Sequence, residues 1–81
     1  MNRKSKYIVV KHEGFEMPIV FSDLMQHTQA AGLREVIGAG FCYVEAGEYV
    51  CYGESIGLHV KSRGETDASV LNEMLGMIRE E

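Results

Sequence analysis

The stretch FCYVEAGEYVCY, residues 41–52, reads nearly the same from both ends around Ala46-Gly47. β-Branched and aromatic residues predominate in both halves and no helical period is present, so each half favours a strand. Glycine accepts the positive φ that a two-residue hairpin turn requires, which places the turn at Ala46-Gly47. The stretch therefore predicts an antiparallel hairpin. Its facing pairs are Val44 with Tyr49, Tyr43 with Val50, and Cys42 with Cys51.

A second hairpin is predicted upstream, in YIVVKHEGFEMPIVF at residues 7–21, with its turn at Glu13-Gly14. Folding the chain there sets Ile8 opposite Ile19 and forms an apolar row of the kind that cross-strand pairing favours. Pro18 has no N–H to donate, so we expect its strand to lie at an edge of the sheet or to break there.

Three further elements are indicated by capping residues and periodicity. Ser22 is a good N-cap for a short helix that ends at Gly32. Residues 56–61 alternate apolar and polar side chains, which predicts a strand with one buried face. Thr66 is the expected N-cap of a closing helix, in which one apolar stripe follows helical spacing. The stripe comprises Ala68, Leu71, Met74, Leu75 and Ile78.

These elements predict an α+β fold in the order β-β-α-β-β-β-α. The 81 residues are expected to form one domain, residues 1–81, because chains divide only at several times this length. A mainly antiparallel sheet with both helices on one face is the natural two-layer arrangement. Such an arrangement leaves the other face short of cover. Val9, Val20 and one row of the second hairpin are expected to line it.

Charge is distributed unevenly along the chain. The net charge is −4, yet Arg3, Lys4, Lys6 and Lys11 all precede the first acidic residue, Glu13. Residues 1–5 are expected to form a flexible basic arm on an acidic body. Arg3, Lys4 and Lys6 are then the candidate nucleic-acid contacts, although an acidic body argues against a broad nucleic-acid surface. No stretch approaches the roughly 20 apolar residues that cross a bilayer, so we expect a cytoplasmic protein with no membrane partner.

The two cysteines admit several interpretations. Cys42 and Cys51 are nine residues apart, whereas the paired ligands of structural zinc sites usually lie two to four apart. His59 could add a third ligand from a neighbouring strand, and a cross-strand disulfide is another possibility. Free cysteines, however, most often pack as small apolar side chains. We therefore predict two reduced, facing thiols, with no metal, no cofactor and no catalytic residue. His27 is expected on an exposed flank of the first helix.

The segment CYGESIGLHVKSRGETDASVLNEML, residues 51–75, combines a Gly-Glu-Ser turn, an alternating strand that ends in Ser-Arg, an acidic helix start and an apolar closing helix. In this combination the chain resembles small proteins encoded by phages and prophages. The resemblance implies an accessory protein in the cytoplasm of a bacterial host. It implies no functional residues.

Three classes of function follow from these observations. The first is an accessory protein without catalysis that binds another protein, or a second copy as a homodimer, through a sheet edge or an aromatic sheet face. Its interface residues are predicted to be Phe41, Tyr43, Val50 and Tyr52, because large exposed apolar patches usually mark partner surfaces. The second is a nucleic-acid-associated protein that uses the basic arm. The third is a small thiol or metal enzyme, for which no short catalytic signature surrounds either cysteine.

Overall fold

The computed structural model describes residues 4–76, which form six strands and two helices. In chain order they are β1 (Ser5–His12), β2 (Phe15–Phe21), α1 (His27–Ala31), β3 (Glu35–Glu45), β4 (Glu48–Tyr52), β5 (Glu54–Ser55), β6 (Val60–Lys61) and α2 (Glu65–Leu75). The α+β class and the mainly antiparallel pairing are confirmed. No helix in this part of the chain is long and apolar enough to cross a membrane.

Both predicted hairpins are present in the predicted register. β1–β4 form an antiparallel sheet in the order β2-β1-β3-β4, and β5 and β6 pair separately. Ile8 faces Ile19 across the first hairpin, and Cys42 faces Cys51 across the second. Ala46 has a φ of 54° and Gly47 a φ of 83°, as a primed two-residue turn requires. Pro18 lies in the outer strand β2, as predicted.

The sheet is covered on both faces, which corrects the prediction of two helices on one face. On one face, Tyr7 and Val9 pack with Leu71 of α2. On the other, Ile8 and Val10 pack with α1 and with the β5–β6 hairpin. Successive residues of a strand point to opposite faces, so the continuous apolar run Tyr7–Val10 of the central strand β1 requires cover on both sides. We call the face of the sheet that packs against α2 the α2 face, and the opposite face the α1 face.

The expected lining of an uncovered face was therefore partly wrong. Val9 is fully buried, and Val20 packs against the same cluster beneath α2. The row from the second hairpin lies on the α1 face instead, as described below. These two groups do not form one surface.

The predicted strand at residues 56–61 is largely a turn. Between β5 and β6, the Ser55 hydroxyl accepts a hydrogen bond from the Leu58 N–H at 3.2 Å, and the His59 N–H donates to the Ile56 carbonyl at 3.2 Å. Ile56 is 77% exposed rather than buried. A serine hydroxyl that bonds to nearby main chain competes with an extended strand, which explains the difference.

The two helices begin elsewhere than predicted. α1 begins at His27, because the Ser22 hydroxyl accepts from the Leu24 N–H and closes a separate turn. α2 begins at Glu65 with Gly64 as its N-cap, two residues before the expected N-cap Thr66.

The apolar stripe of α2 is confirmed in part. Leu71 is fully buried and Ala68 and Leu75 pack against its cluster, whereas Met74 is 46% exposed, so its predicted burial was wrong. Ile78 lies outside the described residues.

The predicted arm, residues 1–5, is contradicted at Ser5, which belongs to a strand. β1 begins at Ser5, where Ser5 pairs with Cys42 of β3. Lys4 has a defined contact, described below. Arg3, the remaining predicted contact of the arm, lies outside the described residues.

Candidate functional site

The four predicted interface residues lie on a single face of the sheet. Phe41 pairs with Tyr52 and Tyr43 pairs with Val50 across β3 and β4, while Cys42 and Cys51, which alternate with them, point to the α2 face. The ring centroids of Phe41 and Tyr52 are 5.8 Å apart, and those of Tyr43 and Tyr52 are 6.0 Å apart. We call Phe41, Tyr43, Val50 and Tyr52 the aromatic surface.

The aromatic surface is accessible to a partner. Tyr52 is 41% exposed and the other three residues are half-buried. On the same face, α1 and the β5–β6 hairpin pack against Ile8, Val10 and Ala39, next to this surface. The surface is therefore neither sealed in the core nor fully solvated.

His27 of α1 marks the boundary between the covered part of this face and the aromatic surface. Its ring lies 5.6 Å from that of Phe21 and 5.8 Å from that of Phe41, both edge to face. Its Nε2 donates a hydrogen bond to the Gly40 carbonyl at 2.8 Å. His27 is only 7% exposed, so its predicted place on an exposed flank was wrong. Because α1 begins at His27, this side chain projects from the first turn onto the sheet.

Two residues of the predicted nucleic-acid set lie beside the aromatic surface. The Lys4 ammonium lies 4.9 Å from the centre of the Phe41 ring, a cation–π contact. Lys6 faces Phe41 across β1 and β3, and its Nζ donates to the Met25 carbonyl at 2.7 Å. The structure therefore brings together two groups of residues that the sequence assigned to separate functions.

A buried carboxylate joins α2 to the sheet on the opposite face. Asp67 is fully buried and accepts three hydrogen bonds: from the Tyr7 hydroxyl at 2.5 Å, from the Arg63 main-chain N–H at 2.9 Å and from Arg63 Nε at 2.6 Å. Gly38 lies directly beneath it, where the Cβ of any larger residue would collide with the carboxylate. The sequence indicated only that Asp67 suits a first helical turn.

The network continues from Asp67 to the surface. Burial, and then the hydrogen bond to Asp67, raise the pKa of Tyr7 far above its usual value. Arg63 Nη2 lies 2.9 Å from Glu16 Oε1, and this bond lowers the pKa of Glu16 and raises that of Arg63. Every polar group of the network is engaged within the protein, so we interpret it as structural.

The cysteines face each other on the α2 face as free, buried thiols. Burial raises the pKa of Cys42 to about 11 and that of Cys51 to about 12. A nucleophilic cysteine needs the thiolate, which these environments disfavour. His59 lies in the β5–β6 hairpin on the α1 face, across the sheet from the thiols, so the three do not form the suggested ligand set. Within residues 4–76, no group of three His, Cys, Asp or Glu side chains has the geometry of a metal site.

Comparison of the chain with protein-family models, with curated proteins and with solved structures gives no match.

Proposed function

We propose that this protein is a small accessory protein that binds another protein through the aromatic surface and performs no catalysis. The observation that carries the proposal is that Phe41, Tyr43, Val50 and Tyr52 share one accessible face, on which the Tyr52 ring contacts those of Phe41 and Tyr43. Tyrosine and phenylalanine are enriched where proteins bind one another, and rings already packed together lose little freedom on binding. The proposed setting, the cytoplasm of a phage-carrying bacterium, rests on the resemblance of residues 51–75 alone.

A second copy of the chain is the first partner to test, because twofold pairing is the commonest way for a protein to bury such a surface. We expect sedimentation analysis at micromolar concentration to give a dimer. Tyr43→Glu should convert it to a folded monomer, since a buried, unpaired carboxylate opposes association.

The control is Leu33→Glu, which places the same charge on a side chain that is fully exposed elsewhere. It should leave the dimer intact. If the wild-type chain is a monomer, self-association is excluded and the proposal stands only if a different protein binds. A binding partner that is insensitive to Tyr43→Glu would contradict the assignment of the surface.

A second candidate function is binding of single-stranded nucleic acid. It is favoured by the contact of Lys4 with the Phe41 ring, because bases stack on aromatic side chains while cations pair with phosphates. Fluorescence anisotropy with a labelled oligothymidylate tests it. Binding that weakens steeply with salt, and is reduced by both Lys4→Ala and Phe41→Ala, would support it. No binding at low salt would exclude it.

A further inference from the structure

A groove lies between the outer strand β4 and the helix α2. It has a volume of about 380 Å³. β4 is the last strand on its side of the four-stranded sheet that the described residues form. Residues from both elements line the groove: Glu48, Tyr49, Val50, Cys51, Glu65 and, towards its other end, Asn72.

The main chain of β4 points into this groove at alternate residues. The pair that flanks a two-residue turn, here Glu45 and Glu48, is joined by main-chain hydrogen bonds. Hydrogen-bonded and non-hydrogen-bonded pairs alternate along antiparallel strands, so the next pair, Val44 with Tyr49, is not hydrogen-bonded. The Tyr49 N–H indeed donates away from β3, to Asn72 Oδ1 at 2.8 Å. By the same alternation, the N–H and carbonyl of Cys51 point outward. Outward main-chain groups on an outer strand can pair with another extended chain.

The groove is acidic. Glu48 and Glu65 are both exposed at its rim, and no lysine or arginine is among the described residues that line it. The nearby Arg63 is already bound to Asp67 and Glu16. In addition, Glu45 faces Glu48 directly across the hairpin, a like-charge pair that is unfavourable in the free protein. A cationic ligand would relieve this repulsion.

We propose that this groove binds an extended, cationic segment of another protein, which adds as a strand to the outer edge of β4. Main-chain bonds to Cys51 give affinity, and Lys or Arg side chains of the segment pair with Glu48 and Glu65. In the free protein, the Asn72 amide oxygen accepts the hydrogen bond from the Tyr49 N–H that a main-chain carbonyl of the incoming strand would accept. This is a form of the protein binding proposed above but at a different surface, so each can fail without the other.

The ligand is sought by selection from a random peptide library on the immobilised wild-type chain. We expect enriched peptides to be rich in Lys and Arg at alternate positions, since side chains of a strand alternate. The affinity of one enriched peptide is then measured by fluorescence polarisation. Glu48→Gln with Glu65→Gln should weaken it about five- to tenfold, as expected for two partly exposed charge pairs.

Two controls distinguish binding in the groove from a general effect of net charge or of a changed fold. Glu13→Gln with Glu73→Gln changes the net charge equally at exposed positions outside the groove and should alter the affinity less than about twofold. A synthetic 81-residue chain with an N-methyl group on Cys51 keeps every side chain and removes the outward N–H. It should bind about tenfold more weakly, and circular dichroism should show an unchanged fold.

Several results would overturn the proposal. These are no enrichment, enriched peptides without net positive charge, or an affinity that N-methylation does not change. A wild-type dimer that N-methylation abolishes would assign the edge to strand pairing between two copies instead. Tyr43→Glu should leave peptide binding intact, so failure of the aromatic surface and failure of the groove give different results.

Discussion

Asp67→Asn is expected to destabilise the protein far more than a single surface charge would. Tyr7 and the Arg63 main-chain N–H both donate to Oδ2, and Arg63 Nε donates to Oδ1. An asparagine whose oxygen occupies the Oδ2 position keeps the first two bonds. Its NH₂ group then faces the Arg63 Nε–H, so that two donors oppose each other.

The magnitude follows from these three bonds. The lost bond to Arg63 is worth about 1.5 kcal/mol, the low end for charged groups, since that side chain is 29% exposed. The two remaining bonds change from charged to neutral and lose about 1 kcal/mol each. The expected cost is therefore about 3–4 kcal/mol, in line with breaking a buried ion pair. For a chain of this size that lowers the Tm by roughly 12–30 °C.

Urea denaturation of the wild-type and variant proteins measures this cost. Asp23→Asn makes the same chemical change at an exposed position and is the matched control. A double-mutant cycle with Tyr7→Phe should give a coupling energy of about 1–2 kcal/mol. If Asp67→Asn costs less than about 1 kcal/mol, the carboxylate does not hold α2 on the sheet and the structural role assigned to the network is wrong.

Two further predictions concern the α2 face. Leu71→Ala should cost about 2–4 kcal/mol in the free energy of unfolding because Leu71 is fully buried, whereas Met74→Ala, at an exposed position of the same helix, should change it by less than about 0.5 kcal/mol; equal effects would contradict the orientation of α2. The thiols predict a pH dependence: their folded-state pKa values of about 11 and 12 lie above the ordinary value of 9.0, so their contribution is fully present below pH 9 and is lost as the pH rises towards 11 and 12. Above pH 9 each thiol should lower the free energy of unfolding by about 1.4 kcal/mol per pH unit. In denaturant titrations at about pH 8 to about pH 10, a Cys42→Ala, Cys51→Ala variant should therefore show a weaker pH dependence than the wild-type protein. An unchanged slope would contradict the burial of the thiols.

The hairpins could be predicted from the sequence because the residues that determine each one lie close together along the chain. A glycine at each turn and alternating pairs fix the register of Ile8 with Ile19 and of Cys42 with Cys51. The placement of the helices could not be read in the same way, since it depends on which face of β1 each helix covers. The continuous apolar run Tyr7–Val10 is typical of a strand that is buried on both faces, but the prediction of two layers did not take this into account.

The candidate site was predictable only in part. Alternation alone placed Phe41 and Tyr43 on one side of β3. The contact of Lys4 with Phe41 depends on the pairing of β1 with β3, which are far apart in sequence. The burial of Asp67 depends on the missing side chain of Gly38, and a glycine in a strand indicates a close approach without naming what approaches.

The bond between Tyr7 and Asp67 joins residues that are 60 positions apart. Until α2 docks, the Tyr7 hydroxyl lacks its bond to Asp67, and the central strand β1 lacks cover on one side. Contacts of such long range are characteristic of slow folding, because the chain loses the entropy of closing a large loop before the contact stabilises it. During synthesis β1 emerges before α2, because Asp67 follows Tyr7 by 60 positions in the chain. In that interval its apolar residues are exposed, so the nascent chain depends on rapid pairing of the two hairpins to avoid aggregation.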